Sequence, residues 1–385
     1  MPIQIKSKED CTGCEACSNI CPKKCITMGK DDGWFRYPEI DGDKCINCNL
    51  CVKVCPVINS CTTSDGAPDV FAAWSKDPEV RYNSTSGGAF SELAKIVLNQ
   101  GGYVVGAVYT PDNMVVHAII NTQDDLVKVR QSKYIQSTIG DVYSRIKKLL
   151  DSYQSVLFCG APCQVAGLKN YLRKPYENLI TIDFICRGMN SPKAYRYWLN
   201  ELEQTSGGKA TRVWFKYKQD GWKKSPYCTR VDFSNGKSVV SSGENNAFMV
   251  GYLQGNLYMR PSCSKGHFKG AERCSDITLA DFWKISDELD DNKGTSMILI
   301  NSESGHALFE KVQSQLLFYK RNLEEITAGN VCFIGSVTIN PKSDEFLSKL
   351  EDKPFSKLVS QYIGKHSIKK NIRIAVNMVK QLFRH

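Results

Sequence analysis

Eight cysteines near the start of the chain carry the most definite chemistry. Cys11, Cys14, Cys17 and Cys21 stand before Pro22 in CTGCEACSNICP; Cys45, Cys48, Cys51 and Cys55 stand before Pro56 in CINCNLCVKVCP. Three thiolates two residues apart wrap one face of an inorganic cubane in a tight loop. A fourth, four residues further on, is expected to open a short helix and to point away from it. The proline behind it presets the turn and keeps the chain from re-entering the loop. Such ligands support one-electron transfer through iron and sulfide.

Both segments read C-x2-C-x2-C-x3-C-P, the pattern of two-cluster bacterial ferredoxins, in which the fourth cysteine of each motif serves the other cluster. One 4Fe–4S cluster is therefore expected on Cys11, Cys14, Cys17 and Cys55, and a second on Cys45, Cys48, Cys51 and Cys21. Paired C-x2-C also suits zinc, but zinc takes four ligands and has no use for two C-x3-C-P endings. Cys25 and Cys61 fall outside the pattern and read as spare thiols. Residues 61–68, CTTSDGAP, are small and polar and read as the linker out of this module.

The remaining elements must serve what the clusters feed. The chain has 385 residues, 42% of them hydrophobic, with 17 cysteines and a net charge of +10. That length suits two or three domains, and no apolar run reaches the ~18 residues of a membrane span. The polar start, MPIQIKSKED, has no apolar stretch of a signal peptide, so a cytoplasmic protein is expected. In such a protein cysteines read as metal ligands or reactive thiols rather than disulfides. Lysines and arginines are spread along the chain without aromatic partners, so no nucleic acid is expected as a partner.

After residue 68 helical and strand patterns alternate. Strands are expected at VFAAWS, at GYVVGAVY and MVVHAIIN around a TPDN turn, and at SMILINS. SVLFCG, CQVAGLKNYLRK and LITIDFI read as strand, helix and strand. Helices are expected at SGGAFSELAKIVLNQG, with Ser86 as cap and Gly101 as stop, at IGDVYSRIKKLLDS, at SPKAYRYWLNELE and at SGHALFEKVQSQLL. Asp220–Gly221 and Asn235–Gly236 read as hairpin turns. The fold class is α+β or α/β: a small bacterial-ferredoxin-like domain at 1–62, a mixed α/β body in two parts, 68–150 and 151–320, and a helical tail at 321–385. No G-x-G-x-x-G follows a strand and no P-loop appears, so neither dinucleotide motif is supported.

Three loops look chemical. STSGGAF, at 84–90, places hydroxyls and two glycines before a helix, which suits a phosphate as well as a plain N-cap. SKYIQS, at 132–137, offers groups that stack on and hydrogen-bond a planar ring, or is an ordinary edge strand. CGAPCQVAG brings Cys163 to a strand-to-helix turn; Cys186, Cys263 and Cys274 follow in later loops. Cysteines at strand ends of an α/β domain converge on the edge where ligands bind, and these four could hold a third cluster. Each also reads as a small buried hydrophobe. No residue is singled out as catalytic, and the five histidines show no metal-ligand spacing.

STSGGAFSELA, SKYIQSTIGDVY, GAPCQVAGL, IDFICRGMNSP and SDITLADFW together resemble the coenzyme F(420) hydrogenase/dehydrogenase beta-subunit family over about residues 68–320. The resemblance implies a flavin, FAD rather than FMN, and at least one further 4Fe–4S cluster. It would place Ser86, Gly87 and Gly88 near the flavin phosphates, and Lys133, Tyr134, Gln136 and Ser137 near the ring. The chain departs from the family pattern in three places. Arg187 stands where a histidine is expected, and arginine does not donate a proton near neutral pH. GTPCQ is GAPCQ. Gly266 stands where the C-x2-C begun by Cys263 should close, so Cys274 or His267 could supply the missing ligand, or the third cluster could be absent.

A flavin exchanges electrons in pairs or singly, whereas clusters move them one at a time. The expected function is an iron–sulfur flavoprotein oxidoreductase that reduces or oxidises an organic substrate or a hydride carrier such as a reduced deazaflavin. Its partners would be a low-potential donor such as ferredoxin or a deazaflavin coenzyme, and an organic substrate. An anaerobic host and a role accessory to polysaccharide synthesis accord with the resemblance. A non-catalytic electron-transfer subunit and a cluster-based redox sensor are the other readings. The C-terminal segment SIKKNIRIAVNMVKQLFRH is basic and apolar at helical spacing, and could dock on a partner or a membrane surface.

Overall fold

Each cysteine motif bends where its sequence permits a left-handed backbone. In the computed structural model, which describes residues 2–61 and 66–363, Gly13 and Asn47 have φ of 67° and 53°, and Glu15 and Asn49 have φ of 62° and 60°. These are matching positions of the two motifs, on either side of the second cysteine. Glycine and asparagine tolerate this region best, and Glu15 is held there by burial. Each loop then enters a short helix, Ala16–Ile20 or Leu50–Lys53. Strands β1 (Ile26–Lys30) and β2 (Arg36–Ile40) pair antiparallel beside them. The segment 367–385 lies outside the described residues.

The body is built on an eight-stranded mixed sheet. Its strands are β3 (Asp69–Ser75), β4 (Tyr103–Tyr109), β5 (Val115–Ile120), β6 (Val156–Cys159) and β7 (Leu179–Phe184), with β11 (Ile277–Asp281), β12 (Ser296–Ile300) and β13 (Leu316–Arg321). Their order is β13-β3-β12-β11-β7-β6-β4-β5. Strands β4, β6, β7 and β11 are mutually parallel neighbours; β5, β12, β3 and β13 join antiparallel. β12 is buried at all five positions, as a strand covered on both faces must be. Helices Ala89–Asn99 and Pro162–Leu172 lie among the sheet's covers, and the second makes the β6–helix–β7 unit that the sequence predicts.

Between β7 and β11 the chain inserts a lobe. Helix Pro192–Ser206 leads into a three-stranded antiparallel sheet of β8 (Ala210–Phe215), β9 (Thr229–Phe233) and β10 (Ser238–Ser241), followed by helix Ala247–Leu253. Tyr195, Trp198, Phe215, Phe248, Tyr258, Phe346 and Phe355 fill its core, the last two from the described C-terminal helices Ser343–Ser348 and Phe355–Ile363.

The differences from the sequence reading are local. Gly88, with φ 93°, caps helix Ala89–Asn99 in place of Ser86, because Ser86 Oγ instead donates to Thr295 O at 2.6 Å. Residues 132–137 form no strand; a single bridge pairs Val116 with Thr138. Asn235–Gly236 does turn β9 into β10, whereas Asp220–Gly221 leads into the 3-10 helix Trp222–Tyr227. The expected late helix stops at Val312 and its end becomes strand β13.

Candidate functional site

The ferredoxin module gathers its cysteines in two sets. Cys14, Cys17 and Cys55 are pushed up in pKa by burial, Cys14 to about 12, and each is pushed further by Cys11 nearby. Cys55, from the second motif, thus lies among Cys11, Cys14 and Cys17 of the first. Cys21, Cys45, Cys48 and Cys51 line one small cavity with Cys25, and Cys25 Sγ is 3.3 Å from Cys21 Sγ. Among the described residues no three His, Cys, Asp or Glu groups converge at single-ion distance. Ligands of a cubane need not, because irons and sulfides stand between them. Thiols so enclosed ionise when they bind metal, which couples each ligand to loss of a proton.

One arginine locks this module to the body. Arg260 is 1% exposed and donates to Cys11 O at 2.9 Å, Gln136 Oε1 at 2.8 Å and Arg36 O at 3.0 Å. Its guanidinium lies 4.4 Å from the Tyr37 ring centre. On the other side Glu15, 2% exposed, accepts from Gly140 N at 2.9 Å and pairs with Arg36 at 3.5 Å. Burial raises the Glu15 carboxyl pKa. A buried charge is tolerated only when hydrogen-bonded in this way.

Helix Pro162–Leu172 is the bridge to the interior. Cys163 and Gly167 are one turn apart and share a face. A methyl group on Gly167 would stand 3.1 Å from Cys14 Sγ. Three residues before Gly167, on the cavity side, Gln164 lines a cleft of about 470 Å³.

That cleft opens at the C-terminal ends of β4, β6, β7 and β11, where parallel sheets bind ligands. β3 runs the same way, since it pairs antiparallel to β12 and β12 antiparallel to β11. Its end delivers Ser84, Thr85, Ser86 and Gly88 to the same edge, together with the first turn of helix Ala89–Asn99. Gly88 contributes no side-chain cap, so the first-turn amides of this helix are left without one. Lys218 fixes the loop by donating to Ser86 O at 2.6 Å and Arg81 O at 2.7 Å. Ser132 N donates to Thr85 Oγ1 at 2.8 Å, tying the 84–88 loop to the 132–137 segment.

Of the residues expected near a flavin, Ser86, Gly88, Lys133, Tyr134 and Ser137 line the cleft together. Gly87 does not; it packs under the sheet, where a side chain would strike Ala73 O. Gln136 faces away, toward Arg260 and Gly13. Lys133 Nζ donates to Arg130 O at 2.9 Å, and burial lowers its pKa to about 7.

The sequence reading passed over His117. It is buried on the cleft wall, and burial lowers its pKa to about 4. Its Nε2 faces Cys159 O at 3.2 Å, an acceptor only, so Nε2 carries the proton and Nδ1 accepts from Ser137 Oγ at 3.0 Å. Gln164 Nε2 donates to Ser137 Oγ at 3.0 Å. The polar wall is thus fixed and neutral.

Arg187 reaches the cleft, but its guanidinium is engaged by Asn256 Oδ1 at 2.8 Å and Leu253 O at 3.0 Å, 5.0 Å from the Tyr252 ring centre. Cys186 lines the cleft and Cys263 lies beside the Gly188–Met189 backbone. Cys274 is elsewhere: its thiol donates to Cys61 O. His267 is exposed. Cys332, which the sequence reading did not weigh, lines the cleft with Cys186. No helix among the described residues is long and apolar enough to cross a membrane.

Comparison with known proteins follows this division. Residues 10–59 match a 4Fe-4S dicluster domain, residues 70–143 match "Coenzyme F(420) hydrogenase/dehydrogenase, beta subunit N-term", and residues 153–326 match its C terminus. A coenzyme F(420)-dependent sulfite reductase of Methanocaldococcus jannaschii is 25% identical over 171 residues, 43% of this chain and 26% of that protein. NADH-quinone oxidoreductase subunit I 2 of Geobacter metallireducens is 45% identical over 56 residues, 13% of this chain and 43% of that protein. The chain thus spans less than half the length of these relatives. A chain of the F(420)-reducing [NiFe] hydrogenase complex from Methanosarcina barkeri aligns over 79% of this chain and 91% of its own, at 16% identity and a TM-score of 0.44.

Proposed function

The chain belongs to the coenzyme F(420) hydrogenase/dehydrogenase beta-subunit family of iron–sulfur oxidoreductases, with a 4Fe-4S dicluster domain in front, and from that premise we propose that its clusters exchange electrons with a flavin bound in the 470 Å³ cleft. The flavin, FAD by this reading, reduces or oxidises an organic substrate or a hydride carrier such as a deazaflavin. When bound it would supply both two-electron chemistry and one-electron exchange. The low-potential donor is a ferredoxin or a deazaflavin coenzyme.

The observation that carries this reading is the shared helix. Pro162–Leu172 brings Gly167 against Cys14 and, one turn away, Gln164 into the cleft. Electrons arriving at the first cluster therefore have one helix to pass before the cleft. The donor set also fits the ligand. The uncapped first turn of Ala89–Asn99, with Ser84 and Ser86 beside it, suits a phosphate. Lys133 and Tyr134 flank the space for a planar ring, and the Gln164–Ser137–His117 chain holds one wall without a change of charge near neutral pH. Arg187 is spent on the lobe helix and serves here as a clamp rather than as a proton donor.

Anaerobic titration with FAD and with FMN tests the reading. The wild-type protein is expected to bind one flavin, and Ala107→Trp, which fills the cleft from β4, is expected to abolish binding while the ferredoxin iron is retained. Flavin bound equally well by Ala107→Trp would refute the site. Binding of neither flavin would leave an electron carrier or a redox sensor.

A further inference from the structure

Gly266 breaks the C-x2-C that Cys263 begins, and the structure brings another cysteine to the gap. We infer that Cys332 is the fourth ligand of a third 4Fe–4S cluster whose other ligands are Cys163, Cys186 and Cys263. The inference rests on the reading above, in which clusters feed the cleft. It assigns a residue outside the matched family segment, which ends at 326.

Three of the four cysteines are tied through backbone contacts. Met189 N donates to Cys263 Sγ at 3.4 Å, and a methyl group on Gly188 would stand 3.1 Å from Cys263 Cβ. Gly188 and Met189 directly follow Cys186 and Arg187, so Cys263 lies against the turn that begins at Cys186. Lys269 then joins Cys186 to Cys332: its ammonium donates to Cys186 O at 2.5 Å and to Cys332 O at 2.9 Å. Gly270 N donates to Phe333 O at 2.7 Å. The 3-10 turn Val331–Phe333 is thus held onto the loop where the missing cysteine would have been. Gly266 itself faces this segment, since a methyl group there would stand 3.4 Å from Ser336 Cβ.

Electrostatics agree with this grouping. Cys263 and Cys332 both lie within electrostatic range of Cys186, and Cys186 and Cys263 within range of Cys163. Lys269 and Arg260 act the other way on Cys263. Two fixed cations beside four cysteines suit a cluster that is anionic once its ligands have lost their protons. The other candidates fail on position. Cys274 is engaged with Cys61, and His267 is exposed, with its ring turned to Phe268. Cys163 also has Cys14 among its neighbours. The third cluster would therefore stand between the first ferredoxin cluster and the cleft that Cys186 and Cys332 line.

The test is anaerobic reconstitution with iron and sulfide of wild type, C332A, C186A and C274A. Iron, sulfide and flavin per chain are then counted, and low-temperature EPR is recorded before and after dithionite. About twelve irons are expected in wild type and in C274A. C332A and C186A should lose about four irons, or show a three-iron signal in the oxidised state, while keeping the ferredoxin irons that report a folded chain. About eight irons in wild type, or a C332A protein unchanged in iron and EPR, would overturn the assignment. Loss of four irons from C274A alone would also overturn it. The flavin count, read from the same samples, fails separately if the cleft holds no flavin.

Discussion

Gly167 lies so close to Cys14 that a methyl group on it would stand 3.1 Å from the thiol sulfur. The contact joins residues 153 positions apart in sequence and sets the first cysteine motif of the ferredoxin module on the helix that forms part of the cleft wall.

A larger side chain at this contact should therefore separate the two redox sites. Gly167→Val is expected to slow flavin reduction through the clusters by about tenfold, roughly 1.4 kcal/mol in barrier, with flavin content unchanged. Stopped-flow absorbance with reduced ferredoxin as donor measures it. Gly106→Ala, in the cleft and away from Cys14, should leave the donor-to-cluster step as in wild type.

Arg260 is the second link between module and body, and its loss orphans carbonyls of Cys11 and Arg36. Hydrogen bonds to a charged group contribute about 1.5–3 kcal/mol each and are not additive. Arg260→Met should destabilise the protein by roughly 3 kcal/mol, seen as a lower denaturation midpoint. Gln136→Leu, which removes one of its three acceptors, should cost less.

Lys133 gives the cleft a pH response. Burial lowers its pKa from 10.5 to about 7. Across that window the unfolded chain keeps a proton that the folded one has released, so stability without ligand rises with pH. An anionic ligand draws the proton back. FAD affinity should therefore be greatest below about pH 7 and fall above it, by at most about tenfold per pH unit. Lys133→Met should bind FAD more weakly at acid pH and show a flatter profile; calorimetric titration at several pH values decides it.

Arg187→His would restore the residue expected from the family pattern, but here the guanidinium holds Asn256 and the end of helix Ala247–Leu253. The substitution should cost about 2 kcal/mol of stability without raising turnover, and a gain in turnover would show that position 187 acts on a proton after all.

The cysteine motifs of the ferredoxin module were legible as a dicluster domain because their spacing is itself local geometry: each loop needs only turns at Gly13, Glu15, Asn47 and Asn49. The β6–helix–β7 unit and the β4–β5 hairpin were legible for the same reason, as periodicity bounded by turn residues. What escaped the sequence depends on contacts between distant segments. Gln136 sits in a motif that suggests a ring site, yet Arg260, 124 residues away, turns it to the module. Cys332 belongs to no spacing pattern and meets Cys186 only through Lys269. His117 looks like an isolated histidine until β5 and β6 bring it to Cys159.

The central claim is that the clusters feed a flavin in the cleft. Its most direct test is the rate at which reduced ferredoxin bleaches the flavin band of anaerobic, flavin-loaded protein, compared between wild type and Cys14→Ala/Cys55→Ala. The account predicts rapid bleaching in wild type and at least a tenfold loss (~1.4 kcal/mol) in the variant, at equal flavin content. Equal rates in the two proteins, or a wild-type protein that carries its irons and takes up no flavin, would contradict it.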